Sequence, residues 1–349
     1  MQSIYDLVTA QAEASYWENL PNIETDAFEK YFPNKKQLGN KLSYIKGKNG
    51  IPIAIRPSSF DAKVMIRDRR GVDKVETELP YFKEALLVDE TMRQELLMVI
   101  ATKNQVYIDA VLTKIFDDEM ELLRGAKATR EAMRAQLLSS GVINIASNGA
   151  AYTYDYGIGS NQKETLTSTA KWDDTANSNP IADLIRWADS VEQRTGVRPA
   201  RAIMRSATFN YIVANQNLAK SIYITNNGAG IVTPTMVKDA IKVLANIEVE
   251  VNDKVYAQAG TDGSTSTNYF PANTVTLVPA QALGNTVFGT SPEEADLIGS
   301  GVANVKVVDT GVAVTVSKEV DPVNVKTKVS QVVMPSFEGA DLIFIATVA

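Results

Sequence analysis

The clearest periodic pattern of the chain lies between residues 91 and 139, where apolar residues return at helical spacing. The apolar positions are Leu96, Leu97, Ile100, Tyr107, Val111, Ile115, Leu122, Leu123, Met133 and Leu137. Thr91 and Gln94 fit the start of a capping box, and Gly141 fits a helix C-cap. The pattern therefore predicts a long helix, of which Gln105 to Ser139 alone would span on the order of 50 Å.

The first forty residues combine a short helix with a segment of little periodicity. Ile4, Leu7 and Val8 have helical spacing and predict a short amphipathic helix. The following residues, up to about residue 41, contain prolines and predict an extended arm. Four aromatic residues in this region need a surface on which to be buried, which argues against a frayed terminus. They are Trp17, Phe28, Tyr31 and Phe32.

Residues 42–90 predict a long, charged two-stranded hairpin. A turn sequence with Asn49-Gly50 separates the first two strand-like runs. Ala62, Val64 and Ile66 then alternate with Lys63, Met65 and Arg67, and a polar run follows across Arg70-Gly71 as the second strand of the long hairpin. The charged positions of the hairpin include Lys63, Arg67, Arg69, Arg70, Lys74, Glu76 and Glu78. A two-stranded hairpin with few large apolar residues is not stable alone in water. We therefore expect it to lie on another polar surface.

The remainder of the chain mixes helices with mostly antiparallel strands, which is an α+β pattern. Asn148-Gly149 separates two strand-like runs, and residues 180–196 read as a helix with Pro180 in its first turn and Gly196 at its end. Further helices are predicted after Ser206, as the N-cap, and over residues 234–245. Strands are predicted for RPARAIMR, IEVEVNDKVYAQAG, NTVTLVPA and several runs within residues 301–349. The polar segment TDGSTSTNYFP, between the second and third of these, is expected to be a turn region.

Composition excludes several classes of chemistry. The chain has 349 residues, a formal net charge of -6, and neither cysteine nor histidine. It therefore cannot form disulfides or thiolate metal sites, and it lacks the usual general base of neutral-pH catalysis. An acidic chain has no general electrostatic reason to coat nucleic acid. With no signal-like N-terminus and no long apolar run, we expect a soluble protein made in the cytoplasm.

The sequence motifs that could indicate metal binding or catalysis are weak. The acidic residues Asp117, Asp118, Glu119 and Glu121 share one stretch of the long helix, and Asp117 and Glu121 have i,i+4 spacing. Two carboxylates on one helix face could bind Mg²⁺ or Ca²⁺, but a solvated face or pairing with a neighbour's arginines is the favoured interpretation. Two S-x-x-K matches, at Ser43 and Ser160, lack the companion motifs of penicillin-recognising enzymes. We predict no catalytic residue, no metal and no cofactor.

An ordered set of segments resembles the tailed-bacteriophage major capsid proteins, in particular the lambda-type capsid protein E family. The segments cover most of the chain in family order. They are FPNKKQLGNKLSYIKGKNGIPIAIRPSSFDAKVMIRDRRGVDKVETELPYFKEALLVDE, IFDDEMELLRGAKATREAMRAQLLSSGVINI, YDYGI, NPIADLIRWADSVEQRTGVRPARAIM and NYFPANTVTLVP. Each segment alone is unspecific, and their common order is what makes the resemblance specific.

The resemblance implies the Hong Kong phage-type capsid fold. On this chain it divides into five parts: an N-terminal arm over 1–41, an extended loop over 42–90, a peripheral domain with the spine helix over 91–170, an axial domain over 171–300, and C-terminal strands over 301–349 that return to the peripheral domain. In that fold the loop lies over a neighbouring subunit. Some family members carry a cleaved scaffolding segment, but this chain enters its arm almost at once, so a separate scaffolding protein is expected.

The implied function is self-assembly, as hexamers and pentamers, into the icosahedral head that encloses phage double-stranded DNA. Further implied partners are a scaffolding protein and a portal, with room for a decoration protein, and we predict no covalent crosslink, no sequence-specific DNA binding and no membrane. The candidate intersubunit contacts are Trp17, Phe28, Tyr31, Phe32, Lys63, Arg67, Arg69, Arg70, Lys74, Glu76, Glu78, Asp117, Asp118 and Glu121. The alternatives are an encapsulin-like shell, a tail tube subunit or a carboxylate-based hydrolase.

Overall fold

The structure is a computed structural model. It describes residues 4–20, 26–46, 73–147, 150–222, 232–260, 263–320 and 323–349. The chain forms two compact units, each built from separate stretches of sequence. Unit 1 comprises 1–42, 76–132 and 285–336, and unit 2 comprises 43–75, 133–284 and 337–349.

The described residues form groups of helices and groups of strands, in an α+β arrangement. The helices are α1 (Ile4–Leu7), α2 (Ala10–Asn19), α3 (Glu90–Thr102), α4 (Gln105–Ser140), α5 (Pro180–Thr195), α6 (Ser206–Val213), α7 (Gln216–Ile222) and α8 (Pro234–Ala245). The strands are β1 (Asn34–Lys36), β2 (Lys41–Lys46), β3 (Asp73–Glu78), β4 (Tyr81–Leu87), β5 (Val142–Ser147), β6 (Ala150–Asp155), β7 (Lys163–Thr165), β8 (Arg201–Met204), β9 (Glu248–Val251), β10 (Val255–Gly260), β11 (Gly263–Asn268), β12 (Thr274–Val278), β13 (Thr286–Phe288), β14 (Asn304–Val308), β15 (Val312–Val320), β16 (Val323–Pro335) and β17 (Phe344–Thr347).

The long helical pattern forms two helices instead of one. Helix α3 ends at Lys103, which takes the left-handed conformation, and α4 begins after Asn104. The side-chain oxygen of Asn104 accepts a hydrogen bond from the Val106 backbone N–H at 3.2 Å and so caps the second helix. The N-cap of α3 is Asp89, two residues before the predicted Thr91. Helix α4 then runs for 36 residues, with residues 105–132 in unit 1 and the remainder in unit 2.

Unit 1 is built on a sheet whose strand order is β1-β13-β16-β15-β14, with β4 also paired to β16. Strand β16 is 13 residues long and antiparallel to β15, β13 and β4. The side of this sheet that α2 covers is rich in buried valines, among them Val312, Val314 and Val316. At the edge, β1 is parallel to β13, so a segment of the arm is part of this sheet.

Unit 2 contains a second sheet, of order β7-β17-β12-β8-β9, in which two of the four pairings are parallel. Its core includes Trp172 and Trp187, which stack at a centroid distance of 5.9 Å, and Phe344 at 5.7 Å from Trp187. Helix α5 lies where it was predicted, with Pro180 at its start and Gly196 as a left-handed C-cap. The predicted strand pair around residues 148 and 149 is also present, as β5 and β6.

Two local predictions need correction. The N-cap of α6 is Arg205, and Ser206 is the first helical residue, its N–H donating to Asp253 Oδ1 at 3.0 Å. The polar segment after β10 was expected to be a turn, but residues 263–268 form β11, antiparallel to β10. Within the charged segment, β2 and β3 pair with each other, a pairing that the sequence did not predict; the strands expected to pair with them lie within residues 47–72, outside the described residues.

Gly141, directly after α4, offers a test of this part of unit 2. Its φ is +77°, and a Cβ built there would lie 2.2 Å from Ile158 Cγ1. We expect Gly141→Ala to cost about 1 kcal/mol for the left-handed backbone and a further 1–3 kcal/mol or so for the collision. Urea unfolding of the variant measures the total.

The matched control for that variant is Gly299→Ala. Gly299 has a φ of +79° but nothing within 4 Å of the built Cβ, so its substitution carries the backbone cost alone. The difference between the two variants is the cost of the collision. Equal losses of stability at both positions would contradict the predicted clash with Ile158.

Candidate functional site

Helix α2 is attached to its own unit by polar and aromatic contacts. The hydroxyl of Tyr16 donates to Asp117 Oδ1 at 2.7 Å, and the Tyr16 ring lies 5.5 Å from the ring of Phe116. Trp17 Nε1 donates to Asp309 Oδ1 at 3.2 Å, and the Lys127 ammonium lies 5.6 Å from its ring. Trp17, predicted to contact a neighbouring subunit, is therefore held half-buried within unit 1.

The aromatic residues of the arm are core residues of unit 1. Phe28, Tyr31 and Phe32 are all 0% exposed in the isolated chain. The Phe28 backbone N–H donates to Glu131 Oε1 at 2.9 Å, and the Phe32 carbonyl accepts from the Thr286 hydroxyl at 2.8 Å. In the isolated chain these side chains have no exposed surface, and their contact with a neighbouring subunit stays a prediction. The surface that these aromatics require is supplied by their own chain.

The charged residues of the extended loop are only partly described. Lys63, Arg67, Arg69 and Arg70 lie outside the described residues. Lys74, Glu76 and Glu78 are in β3, and the side chains of Glu76 and Glu78 are exposed. The pairing of this loop with a neighbour stays a prediction.

The acidic stretch of α4 divides into exposed and buried members. Asp117, Asp118 and Glu121 are exposed. Asp117 accepts from Tyr16, which raises the pKa of that tyrosine, and Glu121 forms an ion pair with Arg124. Glu119 is instead only 4% exposed. Among the described residues there is no group of three or more acidic side chains that could hold a metal ion.

An ion pair between Lys328 and Glu293, which no sequence motif predicts, joins β16 to the segment after β13. Glu293, 3% exposed, accepts hydrogen bonds of 2.5 Å from both the Lys328 ammonium and the Tyr81 hydroxyl. Burial acts to raise the pKa of Glu293, but the hydrogen bonds from Lys328 and Tyr81 outweigh it and lower the pKa to about 2. Burial and the same contact raise the pKa of Tyr81 to about 12. These contacts hold the segment after β13 on strands β4 and β16 of the unit 1 sheet.

Several large apolar side chains of unit 1 are exposed in the isolated chain. Helix α3 buries only Leu96, and the α3–α4 hairpin exposes Leu97, Met98, Val106 and Tyr107. The last residue of β15, Val320, and the first residue of β16, Val323, are also exposed. Exposed apolar side chains that cluster on one element are typical of surfaces that contact other proteins.

The carboxyls of α4 that the sequence singled out have different environments. Asp117 accepts a hydrogen bond from Tyr16, Glu121 pairs with Arg124, and Asp118 is exposed. Glu119 is buried and lies within hydrogen-bond distance of the Thr327 hydroxyl. No helix of the described residues is long and apolar enough to cross a membrane. The arrangement is that of a structural unit with its arm fixed in place and its apolar helical hairpin exposed.

Comparison with solved structures identifies the fold. A phage-related protein from Bordetella bronchiseptica RB50 aligns at a TM-score of 0.56 and 13% identity, over 97% of this chain and 97% of that chain. A candidate prophage capsid protein from E. coli CFT073 aligns at a TM-score of 0.60 and 14% identity, over 98% of this chain and 99% of the other. Among curated protein sequences, none matches this chain.

The fold is therefore that of the phage capsid proteins, as the sequence predicted. The profile of the family described as Phage major capsid protein E matches residues 9–348. The chain therefore belongs to this family, which confirms the resemblance found in the sequence. Its role is that of a structural subunit that assembles with copies of itself into a shell, and its place is the virion.

Proposed function

We propose that this chain assembles as hexamers and pentamers into an icosahedral head around phage double-stranded DNA, without sequence-specific contacts to that DNA. The observation that carries this proposal is the family match over 340 of 349 residues, from 9 to 348. A net charge of -6 supports an enclosing wall, because an acidic surface has no electrostatic gain from coating phosphates. Closed symmetry uses each contact many times, so modest contacts suffice for a stable shell.

The partners of assembly follow from the same proposal. A scaffolding protein and a portal would direct the first shell, a decoration protein could bind later, and the chain would be made in the host cytoplasm. The protein would act without an active site. In support, one pair of carboxyls that does meet within unit 1, Glu13 and Glu119, is buried away from any substrate.

Electron microscopy tests the proposal. Co-expression of the chain with its scaffolding protein should give closed, roughly spherical shells in negative stain. Tubes would instead support a tail tube subunit, and small shells filled with a cargo protein would support an encapsulin-like compartment. A monomer that hydrolyses glycosides would support the carboxylate-based enzyme.

The extended loop supplies a prediction about which contacts build the shell. We propose that its basic residues pair with acidic residues on α4 of a neighbouring copy, of which Asp117, Asp118 and Glu121 are exposed. Arg69→Glu combined with Arg70→Glu should leave the subunit folded but prevent shell formation. A single exposed pair contributes only about 0–1 kcal/mol, but reversal adds repulsion at every copy of the contact. Sedimentation of assembled shells measures the effect.

A charge swap makes that experiment specific. If the loop and α4 meet, adding Asp118→Arg and Glu121→Arg to the loop variant should restore a part of the assembly, because the signs are again opposite. The matched control is Arg124→Glu in the loop variant, which changes charge on α4 without supplying a cation and should restore nothing. Normal shells from the original double variant would contradict the pairing.

A further inference from the structure

Two glutamate side chains and a threonine hydroxyl meet inside unit 1. Glu13 comes from α2, Glu119 from α4 and Thr327 from β16, and they are 0%, 4% and 1% exposed. The Thr327 hydroxyl lies 3.0 Å from Glu13 Oε1 and 2.8 Å from Glu119 Oε1. The second oxygen of each carboxyl, Oε2, is buried and has no donor as a hydrogen-bond partner.

If both carboxyls are charged, this group has too few hydrogen-bond donors for its carboxylate oxygens. A threonine hydroxyl carries one proton and can donate to only one of the two glutamates. Two buried carboxylates would then repel each other with three of their four oxygens short of a donor, which is costly in a low-dielectric interior. One proton placed on either carboxyl removes one charge and provides a second donor.

The charged residues around Glu13 and Glu119 do not offset the cost of a second negative charge on this pair. On α4 the nearest additional influence is Asp118, whose charge further disfavours ionisation of Glu119. On the strands that pack here, Lys326 is paired with Glu319, Lys328 with Glu293, and Lys318 lies over the ring of Tyr5. None of these cations lowers the pKa of Glu13 or of Glu119.

We propose that Glu13 and Glu119 share a single proton, and that this proton is a latch that holds the N-terminal helix α2 on α4 and β16. With the proton present, Thr327 donates to one carboxyl and the protonated carboxyl donates to the other. All three elements are then joined by hydrogen bonds in one buried network. Loss of the proton leaves two facing carboxylates, and the least costly relief is for α2 to separate and expose Glu13 to water.

The direction of the pH dependence follows from the environment. Burial, with the charge of Glu119 added, raises the pKa of Glu13 from 4.5 to about 9, and burial likewise raises the pKa of Glu119. A group whose pKa is raised by folding contributes its stability fully below the unfolded value and loses it as the pH rises through the folded value. Attachment of α2 should therefore be strongest in acid and weaken from about pH 5 to about pH 9.

Hydrogen–deuterium exchange of the full-length, unassembled chain tests the latch. The readout is the protection of the peptide containing α2, residues 10–19, after correction for the intrinsic pH dependence of amide exchange. In the wild-type chain, we expect protection to fall by up to about tenfold per pH unit while the shared proton is being lost, because one proton separates the attached and detached states. Peptides from unit 2 should not follow this profile.

Glutamine variants distinguish the effect of the shared proton on α2 protection from the effect of side-chain packing. Glu13→Gln keeps the shape and supplies a permanent amide donor to Glu119, so α2 should stay protected at alkaline pH. The double variant Glu13→Gln, Glu119→Gln should remove the pH dependence altogether. The matched control is Glu18→Gln, an exposed residue of the same helix, which should keep the wild-type profile.

Two results would overturn the proposal. One is a wild-type chain whose α2 protection is constant from about pH 6 to about pH 9, since a titrating latch must change over that range. The wild-type measurement needs no variant, so it remains decisive if a glutamine variant fails to fold. The other is a Glu13→Gln variant with an unchanged pH profile. Neither result bears on whether the chain builds a shell, which the microscopy above decides separately.

Discussion

Arg130→Met is expected to destabilise the protein by about 3–5 kcal/mol, the typical cost of removing one partner of a buried ionic network. Arg130 is 2% exposed and lies on α4 within unit 1. Its guanidinium donates to Gln331 Oε1 at 2.9 Å and to Asp309 Oδ2 at 3.1 Å, and it lies 5.5 Å from the ring of Phe288. The substitution removes all these contacts, leaves Gln331 Oε1 without the Arg130 donor, and leaves the Asp309 carboxylate without its ion-pair partner.

The effect should extend to the arm, because Asp309 also accepts the hydrogen bond from Trp17. Chemical unfolding measures the loss of stability, and Trp17 fluorescence, with Trp172 and Trp187 replaced by phenylalanine in both backgrounds, reports on the arm. The matched control is Arg124→Met on the same helix. Arg124 pairs with Glu121 at the surface, so its loss should cost no more than about 1 kcal/mol. Equal losses from the two variants would contradict a special role for Arg130.

Lys328→Met is expected to cost about 3 kcal/mol at neutral pH, because it leaves the buried Glu293 carboxylate with Tyr81 as its principal remaining donor. Glu293 has its pKa lowered to about 2 in the folded protein, largely because the Lys328 hydrogen bond outweighs the effect of burial. A lowered pKa contributes stability above the unfolded value of 4.5, and that contribution is lost as the pH falls toward 2. Unfolding measured from neutral to acidic pH should therefore show the wild-type advantage shrinking below about pH 4.

The control for this prediction lies two residues away on the same strand. Lys326 pairs with Glu319 at 3.1 Å, and both side chains are more than a third exposed. Lys326→Met should therefore cost less than about 1 kcal/mol, with little pH dependence. A difference between wild type and Lys328→Met that stays constant down to acidic pH would show that the ammonium acts through packing of its stem and not through its charge.

The sequence pattern predicted helices and strands correctly where the residues that start and end them lie close together in the sequence. Helix α5 has Pro180 at its start and Gly196 at its end within one 17-residue window, and both act as predicted. The break between α3 and α4 was missed because apolar residues recur at helical spacing on both sides of it. The boundary lies at Lys103, which is left-handed, and Asn104, whose side chain caps the second helix, while the apolar pattern continues past both.

The contacts that fix the arm could not be predicted, because they join residues far apart in sequence. Glu13 reads as an ordinary polar position of an amphipathic helix, and Glu119 as one member of an acidic stretch. Their common partner, Thr327, is 314 residues from Glu13, and no periodicity links them. The four arm aromatics were correctly recognised as needing burial, but the sequence does not state whether the covering surface belongs to the same chain or to another.

Strand β16 sets an order in which unit 1 can fold. It is hydrogen-bonded to β4, β13 and β15, so it closes the sheet of unit 1. A nascent polypeptide that has not yet reached residues 323–335 has made β4 and α4 but lacks the strand on which β4 pairs. Non-local pairing of this kind is slow to form. The sheet of unit 1, and with it the surface that α4 contacts, is therefore completed only after β16 has been synthesised.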